Sequence, residues 1–307
     1  MSVESALDDL RVGTPVAVAK AVAGLTAAAR DGVAEAPRHL ATLAAAGIGM
    51  PQSWALALRQ LFAAAQAGSA SAQGQLKVLS GNPKLACGDD SAPNYWRLLC
   101  ASVHIHDWLA PCEKQVLNAS PRTVAIAGFL KPSVCGWLID RADGRLRPAL
   151  TFGPDGAAAL TADARGNSSA ELSITDSDVV VLLTRQRIAA TIGLPAAALE
   201  TSQILHYATG EQFARHHDWL DPALPEVAAR GQRIVTFLIY LNDAFEGGET
   251  EFPRVGLRHR GQVGDALYFA NLDADGAPDP RTLHAGLPPT RGEKWVFSQW
   301  VRNQAWM

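Results

Sequence analysis

The stretch "HYATGEQFARHHDWLD" sets Tyr207 near its start and His216, His217 and Asp218 near its end. Two adjacent histidines beside a carboxylate could be metal ligands, a general base with its orienting partner, or part of a polar loop. The metal case separates the two histidines. In a strand, side chains two apart share a face, so His216 and Asp218 would point together and His217 away. An imidazole and a carboxylate on one face supply two members of a facial triad, and the third must come from a later strand. His284, in "RTLHAGLPP", is the candidate. Such a set leaves three positions of an octahedral iron open, whereas a structural zinc site closes its fourth position and usually uses thiolates. No cysteine lies near these residues in sequence.

Taken alone, "HxD" followed by a distant histidine is a weak signal, and Lys294 strengthens it. It follows His284 across "GLPPTRGE", where a hairpin would put its ammonium on the strand next to the third ligand. A buried lysine without an anion is costly, so a lysine in the apolar run "KWVFSQWV" asks for one, such as the far carboxylate of a dicarboxylate bound at the metal. The alternative is a lysine at a strand start with its head in solvent.

The elements that must carry these residues differ along the chain. Residues 1–80 are rich in Ala, Leu and Gln with few β-branched residues, which favours helix. Within them Ala34 and Ala36 recur as Ala70 and Ala72, an offset of 36 residues in both cases. That period marks helix-turn-helix units whose small residues let helices approach. Residues 81–119 read as a connector, in which His104 and His106 could share one face of a strand as structural or surface histidines. From 120 to 307, "RTVAIAGFL", "RIVTFLIYLN" and "ALYFANL" are β-prone, and "KPSVCGWLIDRAD" and "DSDVVVLLTRQRIAATIGL" are helical intervals. The expected class is α+β: a helical segment, then one domain with a helical start and a mostly antiparallel sheet structure, a barrel or sandwich.

Composition narrows the function. The chain has 307 residues, 48% of them apolar, and 27 basic against 30 acidic residues give a charge of −3. It can bury a core, and it has no basic run to recruit nucleic acid. No uninterrupted apolar run reaches the length of a membrane span, and "MSVESALDDLRVG" lacks the basic flank and apolar core of a secretory signal, so a cytoplasmic location is expected. Cys87, Cys100, Cys112 and Cys135 form no CxxC pair and are expected to be reduced thiols.

Two resemblances follow. The "A-x-A" signatures, with the glycine-bearing loop and amphipathic helix in "GIGMPQSWALALRQLFAAAQAG", resemble Sel-like relatives of tetratricopeptide repeats, which implies a protein partner for the helical segment. The ordered segments "PRTVAIAGFLKPSVCGWLI", "ILHYATGEQFARHHDW", "GQRIVTFLIYLNDAFEGGETEFP" and "GDALYFANLDADGAPDPRTLHAGLPPTRGEKWVFSQWVR" resemble the prolyl 4-hydroxylase family of iron(II)- and 2-oxoglutarate-dependent dioxygenases. They cover about three-fifths of the chain. The resemblance implies a double-stranded β-helix (jelly-roll) domain over residues 120–307, with Fe(II), 2-oxoglutarate, O2 and L-ascorbate as its chemistry. It makes His216, Asp218 and His284 the iron ligands and Lys294 the partner of the distal carboxylate of 2-oxoglutarate.

Tyr207 and Thr250 match residues that line the cosubstrate, Trp300 one at the cosubstrate and substrate mouth, and Arg233 one toward the peptide side. Phe213 and Arg302, also toward the substrate side, depart from the tyrosine and histidine that some peptide-hydroxylating members carry. Glu211 and Asp265 sit in family-typical turns and are assigned no chemistry. The expected substrate is a prolyl residue of a protein or peptide. A free amino acid or other small molecule, or a catalytically silent scaffold, is the alternative.

Overall fold

The computed structural model describes residues 2–92, 94–149, 151–152, 158–159 and 166–305. The chain forms two compact units, Met1–Ala110 with Ser173–Arg187, and Pro111–Leu172 with Ile188–Met307. This division differs from the 1–80, 81–119 and 120–307 expected: Ser173–Arg187 groups with the helices, and the connector is divided after Ala110. The cause is in the segment itself: "VVVLL" is apolar on every side, and a helix apolar all round must be buried all round. Val179, Val180, Val181 and Leu183 are fully buried, and Gln75 Oε1 accepts from the Val179 amide at 3.1 Å.

The helical unit is built by residues that suit each position. Helices Val3–Val12, Pro15–Arg30, Trp54–Gln66 and Ala70–Ser80 begin at Ser2, Thr14, Ser53 and Ser69, whose side chains accept from free first-turn amides. The helix Glu35–Ala46 has no such cap, and it ends at Gly47 in the left-handed region. Close approach uses alanine: Ala44, Ala45 and Ala57 form one buried cluster. His104 and His106 share no strand face. Residues Ile105–Trp108 make a single helical turn, and His106 is exposed.

The second unit holds sixteen strands in the described residues: β1 (Gln115–Ala119), β2 (Arg122–Ile126), β3 (Arg147–Pro148), β4 (Thr151–Phe152), β5 (Ala158–Ala159), β6 (Ser168–Leu172), β7 (Ser202–Tyr207), β8 (Phe213–His216), β9 (Arg233–Tyr240), β10 (Glu246–Gly247), β11 (Thr250–Phe252), β12 (Leu257–His259), β13 (Ala266–Ala270), β14 (His284–Gly286), β15 (Pro289–Arg291) and β16 (Lys294–Arg302). An antiparallel eight-stranded sheet runs β1-β2-β13-β9-β16-β7-β6-β3, and a four-stranded one runs β12-β11-β14-β8. Period-two alternation sorts the central strands of the large sheet into two faces. Tyr207, Tyr240, Leu267, Phe269 and Val296 pack with Phe252 of the small sheet, while Phe237, on the other face, packs on Phe129. The expected strands and both helical intervals, now Pro132–Ala142 and Val179–Ile192, are present.

One buried charge cluster ties β16 to β9 and to the turn before β7. Glu200 accepts from Arg233 at 2.7 and 2.9 Å and from Arg302 Nε at 2.7 Å, and Arg302 also reaches Glu226 and the Gly231 carbonyl. Burial alone would raise the Glu200 carboxyl, but Arg233 and Arg302 hold it below its ordinary 4.5. A depressed folded-state value stabilises the protein above the unfolded-state value and stops doing so as pH falls through the folded one. Glu200→Gln is therefore expected to cost about 3 kcal/mol at neutral pH, since Arg302 stays buried without its carboxylate. In urea melts, the gap between wild type and variant should be constant above pH 4.5 and close below it.

Candidate active site

The small sheet delivers two imidazoles to one point. His216 and His284 are direct cross-strand partners of β8 and β14, with ring centroids 4.2 Å apart. Each ring donates from Nδ1 to a carbonyl two residues earlier, His216 to Ala214 at 2.8 Å and His284 to Thr282 at 3.0 Å. A carbonyl can only accept, so in the neutral rings the proton sits on Nδ1 and the Nε2 lone pair faces inward. Asp218 meets both: Oδ1 lies 3.5 Å from His216 Nε2 and Oδ2 3.4 Å from His284 Nε2. Thr236 donates to Oδ2 at 2.7 Å.

Electrostatics sharpen this picture. Asp218 and His284 are buried, at 4% and 5% exposure. Burial pushes the His284 imidazole down to about 4, so it is a neutral base at neutral pH. For Asp218, burial would raise the carboxyl, but His284, His216 and Thr236 hold it well below the usual carboxylate range. Three atoms able to act as metal ligands thus converge within 4.8 Å of one another, an arrangement that a cation would satisfy. Two nitrogens and one carboxylate oxygen, without thiolate, suit iron(II) with open positions.

The large sheet supplies the other end. Tyr207, Leu205, Thr236, Leu238, Lys294, Val296, Ser298 and Trp300 line the same cavity as the triad, together with Phe213, Thr250 and Gly286 of the small-sheet side. On β16 these are alternate residues, so one strand face presents Lys294, Val296, Ser298 and Trp300 in a row. Lys294 is 2% exposed, its ammonium 4.9 Å from the Tyr207 ring centre and 5.8 Å from that of Tyr240. Among the described residues no carboxylate pairs with it. Burial lowers its pKa to about 8. An ammonium so placed fits the far carboxylate of 2-oxoglutarate.

Two expectations about local geometry are corrected. Lys294 is not on the strand beside His284: β14 pairs with β8 and β11, whereas β16 pairs with β7 and β9, because the chain crosses between sheets through β15, which pairs with β10. Nor does strand alternation bring His216 and Asp218 together. β8 ends at His216, and Asp218 lies in the turn beyond it. His217 does turn away, stacking on Trp219 at 4.7 Å with Nδ1 3.4 Å from Thr282 Oγ1.

The remaining residues singled out in the sequence fall in two groups. Phe213 stacks on His216 at 3.5 Å between ring centres, and the Thr250 hydroxyl meets the Tyr240 hydroxyl at 3.0 Å. Trp300 lines the cavity, and the Arg233 guanidinium covers its ring at 3.6 Å. Arg233 and Arg302 themselves are engaged with Glu200 and line no part of the cavity. Glu211 and Asp265 accept backbone amides, at Ala208 and at Gly128 and Gln262. Thr236, Tyr240 and Ser298 went unrecognised, since a threonine, a tyrosine or a serine in a β run is ordinary strand composition. The period-two register with Lys294 could have flagged Ser298.

Residues 202–302, which span this site, match the profile of the 2OG-Fe(II) oxygenase superfamily. "Probable prolyl 4-hydroxylase 9" of Arabidopsis thaliana is 32% identical over 208 residues, covering 62% of this chain and 72% of the relative. "Prolyl 4-hydroxylase 1" of the same plant is 31% identical over 205 residues, with the same coverages. A viral collagen prolyl hydroxylase from Paramecium Bursaria Chlorella virus-1, solved with 2OG, aligns at 26% identity and a TM-score of 0.46 over 59% of this chain and 95% of its own. The enzyme class is that of the 2-oxoglutarate-dependent dioxygenases, which use Fe(II), 2-oxoglutarate and O2. Within it, the chain belongs to the prolyl 4-hydroxylase family.

The geometry yields two expected outcomes. His216→Ala should abolish tight iron(II) binding in an anaerobic titration, whereas His217→Ala should stay within about tenfold of wild type, the usual scale for a residue beyond the ligands. Lys294→Met should weaken 2-oxoglutarate on the order of 100-fold by calorimetry, as expected for truncating one side of a buried charge pair. The same variant should melt no lower without ligand, because a buried ammonium is removed. With wild-type protein, affinity for 2-oxoglutarate should be flat below pH 8 and fall above it, as the ligand-free lysine loses its proton.

Proposed function

We propose that the chain hydroxylates a prolyl residue of a protein or peptide. Iron(II) would be held by His216, Asp218 and His284, and Lys294 would receive the distal carboxylate of 2-oxoglutarate. The observation that carries this reading is the pairing, in one cavity, of a buried N,N,O ligand set with a buried ammonium that makes no salt bridge among the described residues. The substrate class is supported by relatives named as prolyl 4-hydroxylases. Bound iron(II) would supply the redox chemistry by which O2 oxidises 2-oxoglutarate to succinate and CO2 and hydroxylates a substrate C–H.

The chain's own part is positioning and exclusion. Ala214 and Thr282 fix the two imidazoles in the tautomer that presents Nε2, and Thr236 holds one Asp218 oxygen. Lys294, flanked by the Tyr207 and Tyr240 rings, sets how far the cosubstrate extends. Thr250 and Tyr240 offer hydroxyls on the same side. Leu205, Leu238 and Val296 keep the space between the two ends apolar, which strengthens both charge interactions. Trp300, braced by Arg233, and Phe213, stacked on His216, line the cavity from the large and the small sheet.

We read the two sheets as the double-stranded β-helix of the family, a view supported by a cavity lined from both. The helical unit is read as Sel-like repeats that engage a protein partner. In its support, Ala36 and Ala72, one period apart, are both fully buried near helix starts. Ascorbate as reductant and a cytoplasmic location complete the proposal. None of the four cysteines forms a disulfide, and among the described residues no helix is long and apolar enough to cross a membrane. Hydroxylation of a free amino acid or another small molecule is the second reading. It is favoured by Phe213 lacking a hydroxyl and by Glu200 holding both Arg233 and Arg302 away from the cavity.

Succinate formation under air by iron(II)-loaded protein tests the proposal. A proline-rich peptide should raise turnover at least several-fold and gain one oxygen on proline by mass spectrometry. Turnover that ignores the peptide would move the assignment to a small-molecule substrate.

A further inference from the structure

Behind Asp218 and the Thr236 hydroxyl that holds it lies Asn271, which the reading above does not use. Thr236 Oγ1 donates to Asp218 Oδ2 at 2.7 Å, and Asn271 Nδ2 donates to Thr236 Oγ1 at 3.0 Å. All three residues are buried: Thr236 is 1% exposed, Asn271 0% and Asp218 4%. The direction of both bonds is forced. An ionised carboxylate only accepts, so the single Thr236 proton must go to Asp218. The Thr236 oxygen can then only accept from Asn271, whose NH2 end must face it. The Asn271 Oδ1 is consequently left buried with no hydrogen-bond partner among the described residues.

That orphan oxygen is informative. A buried amide acceptor without a partner destabilises the fold, and an apolar group of the same shape would remove that penalty while giving up one neutral hydrogen bond to Thr236. The residue is therefore better explained by what its NH2 end does than by what it contributes to folding. Its backbone reaches the other arm of the ligand set. The Asn271 carbonyl accepts from the Asp279 amide at 3.0 Å, the Asp279 carbonyl accepts from Thr282 Oγ1 at 2.6 Å, and the Thr282 carbonyl accepts from His284 Nδ1 at 3.0 Å. One residue thus sits at the origin of two hydrogen-bonded paths, one to Asp218 and one to His284.

We propose that Asn271 is a positioning residue for the metal site: its side-chain amide holds the Thr236 hydroxyl in the rotamer that donates to Asp218, and so fixes which carboxylate oxygen is left to the metal. This rests on the assignment of His216, Asp218 and His284 as ligands. It predicts that the side chain matters for metal affinity and not for stability.

The test is anaerobic titration of iron(II) into wild type, Asn271→Leu, Thr236→Val and the double variant, with thermal melting of each metal-free protein. Asn271→Leu keeps the shape of the side chain. It should melt at or above wild type and bind iron(II) about tenfold more weakly, the lower end for residues behind metal ligands. Acting through Thr236, it should cost nothing further in the Thr236→Val background. Should Asn271→Leu lower the melting temperature, Asn271→Ala, read well below its own melt, is expected to show the same loss of affinity. Unchanged affinity in both Asn271 variants, or losses that add in the double variant, would overturn the role. Tight iron(II) binding that survives His216→Ala would instead remove the ligand assignment underneath it.

Discussion

An ionised carboxylate almost wholly out of water is the constraint around which the β unit is arranged. Among the described residues no lysine or arginine pairs with Asp218. It has one hydroxyl donor, and two imidazoles whose Nδ1 atoms are anchored on carbonyls turn Nε2 toward its oxygens. A carboxylate so placed in a dry site is costly, and a divalent cation converts that liability into binding energy. The rest follows from needing such a point to exist and to stay open on one side. A buried lysine stands on the far side of the cavity as a second, opposite imbalance, and a dicarboxylate bound at the metal would satisfy both at once.

Antiparallel pairing provides the accuracy. His216 and His284 are register partners, so their separation is set by the sheet and not by a flexible loop. Across the cavity, Lys294 pairs with Tyr207, Val296 with Leu205 and Tyr240, Ser298 with Leu238, and Trp300 with Thr236. Because a one-residue slip would turn this whole row to the other face, the register is also a functional requirement. The Glu200 cluster pins β16 to β9 at the end where Trp300 lies, which keeps the two arginines expected at the substrate side out of the cavity.

Much of this was legible in the sequence, for unequal reasons. The spaced residues His216, Asp218, His284 and Lys294 could be picked out because their types are rare in apolar β runs. Their convergence could not be derived from alternation alone. Asp218 lies past the end of β8, and Lys294 reaches the site from the other sheet, since the short β15 carries the chain across. Thr236, Tyr240 and Asn271 were invisible for the opposite reason: each is an unremarkable strand or turn residue until its hydrogen-bond partner, far away in the chain, is known. That the helix Val179–Ile192 groups up to Arg187 with the N-terminal helices could not be read from its sequence, because an apolar run says that it is buried, not against what.

The central claim is that one cavity holds a metal at the triad and a dicarboxylate reaching to Lys294. A crystal structure with manganese(II) and 2-oxoglutarate, measured with anomalous scattering, tests it most directly. The account predicts a single anomalous peak bound by His216 Nε2, His284 Nε2 and one Asp218 oxygen, with the distal carboxylate of 2-oxoglutarate against the Lys294 ammonium. A metal held elsewhere, or a cosubstrate carboxylate that leaves Lys294 unpaired, would contradict it.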